Sequence, residues 1–174
     1  MSPIWLTNFP LPPSVNEYLM PIAGGWATSK TGKTYRKGRW VKTKIHTDYV
    51  KHCELWAKKN AQGFNSISND LKKAVMEARE NKKRICFRVD AYFIFHEPRI
   101  WTVNNIPEQL DADNRLKPCR DALAKILDID DKYFFSGFFE KVTAPSKDQE
   151  CTFIRITETI PKDIQDIRSL IKKD

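Results

Sequence analysis

Asp111 and Asp113 stand one residue apart, Lys117 follows Asp113 by four positions, and Asp130 and Asp131 form a second acidic pair further along. An Asp-x-Asp pair at a strand-to-helix junction points two carboxylates in one direction, the geometry that a hard divalent cation takes. Lys117 then lies one helical turn beyond Asp113 on the same face. Carboxylates that hold a metal beside a fixed cation suit chemistry on a phosphate ester, where both offset negative charge building in the transition state. The same residues also have a plainer use. Asp113 or Asn114 is a good helix N-cap, carboxylates at a helix start complement its dipole, and Asp-rich turns are ordinary.

The charge balance favours the phosphate chemistry. Thirty Lys and Arg against 22 Asp and Glu leave a net +8, and the surplus is local. From Tyr18 to Thr47 there is no acidic residue, while Lys30, Lys33, Arg36, Lys37, Arg39, Lys42 and Lys44 all fall inside that window. A stripe of this kind concentrates polyanions at the surface, so these seven cations are the candidate DNA-binding residues. Trp26, Tyr35 and Trp40 lie among them, placed either to stack on unpaired bases or to pack a hairpin. Cations to hold a backbone and carboxylates to hold a metal are the parts that a phosphodiester-cutting enzyme requires.

Other chemistries fail on spacing. A calcium loop beginning at Asp111 needs Gly at its sixth place and Glu at its twelfth, where the chain has Leu116 and Ala122. A phosphatase-type nucleophile should end an apolar strand, but Pro107-Glu108-Gln109-Leu110 precedes Asp111. Gly32-Lys33-Thr34 lacks the earlier glycine of a phosphate loop. His46, His52 and His96 have no metal-ligand spacing, and Cys53, Cys86, Cys119 and Cys151 are too far apart for a zinc knuckle or a redox pair. Reduced thiols and a cytoplasmic setting are expected. The N-terminus lacks the pattern of a signal peptide, and no apolar run nears the roughly 20 residues of a membrane span.

The elements that must position these groups follow from periodicity. At 174 residues, 41% of them hydrophobic, the chain is sized for one domain with its own core. Ile4 to Phe9 reads as a strand closed by Pro10, Pro12 and Pro13. A basic arm spans about 24–46, with Gly32 and Gly38 as turn points. Thr47 or Asp48 caps a helix running to about Asn60, and Ser68 or Asn69 opens a second, with Leu71, Val75 and Ala78 on one face. Ile85, Phe87, Val89, Ala91, Phe93 and Phe95 alternate through the clearest strand. The helix after Asp113 carries Leu116, Leu123 and Leu127. Two runs, Tyr133 to Val142 and Cys151 to Thr157, read as an antiparallel pair joined by a turn at Pro145 to Asp148. Pro161 opens a last amphipathic helix with Ile164, Ile167, Leu170 and Ile171. The mixture predicts an α+β two-layer domain over residues 1–160, with a mixed or antiparallel sheet and helices on one face, followed by a helix over 161–174.

The stretch Leu110-Asp111-Ala112-Asp113-Asn114-Arg115-Leu116-Lys117-Pro118-Cys119-Arg120-Asp121-Ala122-Leu123, followed by Ile129-Asp130-Asp131, resembles the RusA family of Holliday-junction resolvases. That pattern is Asp-x-Asp-Asn, a Lys four residues past the second Asp, Asp-Ala-Leu, and an Asp-Asp pair after the helix. Leu11-Pro12-Pro13-Ser14-Val15-Asn16-Glu17-Tyr18 resembles the family's opening. The stretch into Asp111 departs from it, with Glu108 and Gln109 where basic residues are expected. The resemblance implies a RusA-like fold and a homodimeric, Mg²⁺-dependent endonuclease, with Mn²⁺ as a possible substitute, that nicks four-way DNA junctions symmetrically. It further implies a cytoplasmic protein of bacterial, phage or prophage origin. Carried over by position, Asp111, Asp113 and Asp131 are the catalytic metal-binding carboxylates and Lys117 the cation near the scissile phosphate. Asp130 either hydrogen-bonds and orients the metal-binding carboxylates or caps a turn; for Asp121, a salt bridge to Lys117 or Lys125 is a sufficient role.

Geometry constrains this arrangement. A helix from Asn114 to Leu127 spans about 21 Å, which sets Asp113 and Asp131 at opposite ends, too far for shared coordination at about 2.1 Å per ligand. Either the helix stops near Ala124 and about seven extended residues return roughly 23 Å, or a second subunit supplies the third carboxylate; the second alternative is favoured. Two rivals complete the field: a basic nucleic-acid-binding protein whose aspartates cap a helix, and a Mg²⁺ nuclease acting on flaps or single strands.

Overall fold

The computed structural model describes residues 2–108 and 110–161, with side chains given outside 22–27 and 35–40. The helix expected beyond Pro161 lies outside the described residues.

In chain order the elements are β1 (Ile4–Phe9), α1 (Val15–Tyr18), β2 (Leu19–Thr28), β3 (Thr34–Lys42), α2 (Lys44–Lys59), α3 (Ala61–Glu80), β4 (Cys86–His96), α4 (Asp113–Leu127), β5 (Phe134–Ser136), β6 (Phe139–Ala144) and β7 (Cys151–Thr159). The alternation read in the sequence places β4 at the centre. Phe87, Val89, Ala91, Phe93 and Phe95 are all fully buried, and each buried Phe stabilises the fold by roughly 2–3 kcal/mol. They share one core with Leu71 and Val75 of α3 and Leu123 and Leu127 of α4.

β7 lies antiparallel on one side of β4, setting Ile156 beside Val89 and Ile154 beside Ala91. β1 pairs antiparallel with the far edge of β7. β5 and β6 both run parallel to β4 on its other side. The result is a mixed five-stranded sheet in an α+β chain. The two runs expected to pair with each other therefore do not: β4 stands between β6 and β7. A parallel neighbour needs a crossover, and α4 supplies it, delivering β5 and β6 to the edge that β7 leaves free. Gly137 joins β5 to β6 so close to β4 that a Cβ there would run into the Val89 carbonyl oxygen.

On the other face of β4, Asp90 is shut off from solvent. It accepts hydrogen bonds from Arg88 Nε (2.7 Å), Arg155 Nη2 (2.6 Å) and the Phe138 amide (3.1 Å). Burial works to raise its pKa, but these donors prevail and hold the carboxyl below the usual range.

Two helix boundaries differ from the expected ones. α2 starts four residues early, because Thr43 caps it, its Oγ1 accepting from the His46 amide at 3.3 Å. α3 begins at Ala61 rather than near Ser68. Gly63, Asn65 and Ser66 are weak helix formers, yet Phe64 buries against the edge of Trp56, ring centroids 5.6 Å apart, and tertiary packing overrides propensity.

The basic arm is a two-stranded antiparallel hairpin, β2 with β3, forming a sheet of its own. Its turn closes with the Ser29 amide donating to Lys33 O at 2.9 Å and with Gly32 at φ +78°. Gly38 is not a turn point; it pairs with Ala23 inside the hairpin. The arm is anchored at its base, where the Thr43 amide donates to Tyr18 O (3.1 Å) and Thr43 Oγ1 donates to Glu17 O (2.7 Å). No helix among the described residues is long and apolar enough to cross a membrane.

Candidate functional site

The first turn of α4 carries the Asp-x-Asp pair. Asp113 is the first helical residue, and the residue in the cap position is Ala112, which makes no side-chain cap hydrogen bond. Neither Asp113 nor Asn114 caps the helix, although Asp113 stands in its first turn, where its charge complements the helix dipole. Asp111 and Asp113 are both exposed. Asp111 accepts from Asn114 Nδ2 at 3.2 Å, which orients the carboxylate beside the helix start.

Helical spacing puts Asp113, Leu116, Lys117, Arg120 and Asp121 on one face. These five residues and Asp131 line a recess of about 350 Å³. Lys117 Nζ sits 3.5 Å from Asp121 Oδ1, the ion pair expected from their spacing. Asp121 Oδ2 accepts from Tyr18 OH at 3.5 Å. The Tyr18 ring packs on His46, centroids 4.3 Å apart. Burial, then the Asp121 charge, pushes the Tyr18 phenol well above its ordinary value. Burial and the Lys42 ammonium lower the His46 pKa.

A wider recess of about 580 Å³ adjoins the first, lined by Lys117, Asp121, Lys125, Asp128, Asp130 and Asp131 of the α4 region and by Lys42 at the end of β3. The base of the basic arm and the acidic end of α4 thus open onto the same ground. Lys42 and Lys44 are exposed here, and Lys30 and Lys33 are exposed at the far turn. Arg36, Lys37 and Arg39 lie on β3, Arg36 opposite Trp26 and Arg39 opposite Ile22; their side chains lie outside the described ones.

The helix runs on through Leu127, so the early stop near Ala124 does not occur. It ends with Asp128 in the left-handed region, φ 54°, its amide turned back to Ala124 O and Lys125 O. Asp131 returns far enough to share a recess with Asp113 and Lys117. Even so, among the described residues no three His, Cys, Asp or Glu side chains come together closely enough to hold a metal ion. One copy of the chain thus does not bring Asp111, Asp113 and Asp131 together as a three-carboxylate set. Asp130 takes the turn-cap role: it accepts from the Lys132 amide (3.0 Å) and Lys132 Nζ (2.6 Å), which hold its carboxyl below the usual range.

Two participants escape sequence inspection. Arg115, 8% exposed, donates through Nη1 to Pro12 O and lies over the Phe95 ring, 5.4 Å from its centroid, with Nε unpaired. Burial and neighbouring Arg99 lower its pKa. It ties the Pro-Pro-Ser segment to the start of α4. Tyr18 binds the same segment to Asp121. Both contacts join residues 103 apart in sequence, a separation that no local pattern reveals. The cysteines are all free, and burial pushes the Cys53 thiol up to about 12.

Fold and site together define a class: an α+β protein with a mixed sheet, whose crossover helix presents carboxylates and a lysine beside the root of a basic hairpin. No protein-family model matches the chain, and no curated protein does.

Proposed function

We propose that this chain is a divalent-metal-dependent, structure-specific endodeoxyribonuclease that acts as a homodimer and resolves four-way DNA junctions by paired, symmetric nicks. The observation that carries this reading is the shared recess: Lys42 from the arm, Lys117 from α4 and Asp131 beyond it line one cavity. A phosphate backbone held by the arm runs from there directly to the carboxylates. The motif from Asp111 to Asp131 supports the same conclusion through its resemblance to RusA-type resolvases, whose two-layer arrangement the mixed sheet and helices suit.

In this role the lysines of the arm hold the backbone by neutralising phosphates. Asp111 and Asp113 would hold Mg²⁺ as oxygen ligands, and Lys117, paired with Asp121, would offset charge developing on the phosphate. A bound Mg²⁺ supplies Lewis-acid polarisation of the phosphate and lowers the pKa of water. Asp131, which shares a recess with Asp113 in one copy, or its counterpart in a second copy would complete the set, and each pair of chains would carry two sites, matching two cuts.

The test uses a mobile four-way junction, a flap and a linear duplex, with and without Mg²⁺, against the wild type and Asp113→Asn. The expected result is paired nicks on the junction alone, lost by about 100-fold or more in Asp113→Asn, with junction binding retained. Metal-independent binding without cutting identifies a nucleic-acid-binding protein instead, and cutting confined to the flap identifies a different nuclease.

A further inference from the structure

Tyr18 occupies the junction between the arm and the rest of the molecule. It ends α1, the single turn that Ser14 and Glu17 close with a reciprocal capping box, and Leu19 opens β2 directly after it. Its carbonyl oxygen accepts from the Thr43 amide (3.1 Å) and from Thr43 Oγ1 (3.3 Å), which fastens the root of the hairpin. Its ring is fully buried and lies against His46 of α2. The phenol remains to be satisfied, and a buried hydroxyl without a partner costs stability. Asp121 of α4 supplies the acceptor, with Oδ2 3.5 Å from Tyr18 OH. Burial and the Asp121 charge keep the phenol protonated, so Tyr18 is the donor of this bond.

The other oxygen of the same carboxylate faces Lys117. Asp121 Oδ1 lies 3.5 Å from Lys117 Nζ, with the Lys117 side chain 59% exposed and that of Asp121 21% exposed. On a helix, a lysine that precedes its acidic partner by four residues stands in the weaker of the two orders. The stronger order joins Asp121 to Lys125, but Glu54 takes Lys125 at 2.8 Å. An exposed pair of this kind by itself holds a long, rotatable lysine loosely. A carboxylate steadied from behind by a buried donor behaves differently. With Oδ2 taken by Tyr18, the Asp121 side chain loses freedom to turn, and Oδ1 presents one position to the ammonium. That position borders the recess that Lys117 shares with Asp113 and Asp131. Both contacts stand at the outer limit of such interactions, so the link guides the lysine and leaves it able to reach a phosphate.

We infer that Tyr18 is a positioning residue: its phenol, acting through Asp121, holds Lys117 over the recess, while its carbonyl holds the root of the arm. One residue thereby registers the arm against the cation proposed to meet the scissile phosphate. The use of that register rests on the proposed nuclease; the link from Tyr18 to Lys117 is measurable without DNA or metal. The plainer role, a phenol paired only to complete the core, makes Tyr18 matter to stability and leaves Lys117 indifferent to it.

Tyr18→Phe removes the hydroxyl and keeps the ring and the backbone hydrogen bonds. With lysine side chains labelled with ¹³C at Cε, NMR relaxation reports how far each one moves, and Lys117→Arg assigns the Lys117 signal. In the full chain, without DNA or Mg²⁺, the variant is expected to raise the mobility of Lys117 and to leave Lys72, paired with Asp128 at 2.9 Å, unchanged. On a saturating four-way junction its nicking rate falls by about tenfold, whereas junction affinity changes by less than about twofold because the arm's lysines are untouched. The double variant Tyr18→Phe/Asp121→Asn nicks no more slowly than Asp121→Asn alone, since the two residues act through one link. A Lys117 signal that ignores the loss of the hydroxyl overturns the inference, whether or not the melting temperature falls, and so do rate losses that add in the double variant. A wild type that never nicks, together with a Lys117 loosened in Tyr18→Phe, removes the nuclease and leaves the link standing.

Discussion

Asp90 is the residue on which the open side of the sheet depends. Its carboxylate is fully enclosed, while Arg88 and Arg155 remain partly exposed, with side-chain exposures of 45% and 34%. Removing its charge leaves two guanidiniums to recover water at part of their cost, so Asp90→Asn should destabilise the fold by about 2–3 kcal/mol, below the 3–5 of a fully buried pair. The sign with pH follows from the depressed pKa. Its stabilisation is complete above the unfolded carboxyl value of about 3.9 and is lost as pH falls through the lower folded value. Urea titrations at pH 7 and pH 3 should therefore show a large gap between wild type and variant at pH 7 and a smaller one at pH 3. An equal gap at both values means that packing, not the ion pair, gives Asp90 its role. At this scale the sequence is informative where partners are close along a helix. Lys117 and Asp121, four apart, are such a pair. Asp90 itself reads only as an ordinary polar position on the second face of an alternating strand, since Arg155 and Phe138 reach it from distant segments.

Elements show the same division between local and distant information. β4 and the apolar faces of α3 and α4 are legible because period two and period 3.6 are written directly into side-chain hydrophobicity. Strand neighbours are not written there. Pro145 to Asp148 carries turn chemistry, but that turn leads the chain around the end of β4 instead of folding β6 onto β7. The early start of α3 is hidden for a related reason: Phe64 needs Trp56 of the preceding helix before its burial outweighs Gly63 and Asn65. Gly137 is the point at which strand order becomes a sequence requirement. An added methyl there meets the Val89 carbonyl, so Gly137→Ala must push β5 and β6 away from β4. Overpacking of this kind costs about 1–3 kcal/mol, and because the obstacle is backbone the upper end is expected. A melting temperature lowered by several degrees, with Phe134 becoming accessible to quenchers, is the predicted outcome; a variant that melts with the wild type means that β5 and β6 are not held against β4.

For the whole molecule, the +8 surplus acts through its placement. The arm is a separate two-stranded sheet, joined to the rest through α1, Thr43 and the start of α2. Its root shares a recess with Asp131 while its turn carries Lys30 and Lys33 outward, so it forms a track leading to the acidic end of α4. The charge window made the arm legible, and the Asp-x-Asp motif made α4 legible; that one opens onto the other is a product of the fold, because Lys42 and Asp131 belong to different halves of the chain. A track of exposed lysines makes a quantitative demand. Each phosphate neutralised on duplex DNA contributes about 0.9 to the slope of log affinity against log salt. Replacing Lys30, Lys33, Lys42 and Lys44 together by Gln should therefore lower that slope by about 3–4 on the duplex arms of a junction, with thermal stability unchanged because all four side chains are exposed. Lys42→Gln alone should lower the slope by about 1 and also slow nicking, since it alone of the four lines the recess of Asp131, whereas Lys30→Gln should lower the slope equally and leave the rate on saturated DNA unaltered. A quadruple variant whose slope falls by less than about 1 removes the arm from the proposed DNA-binding surface, and the proposed path from arm to carboxylates falls with it.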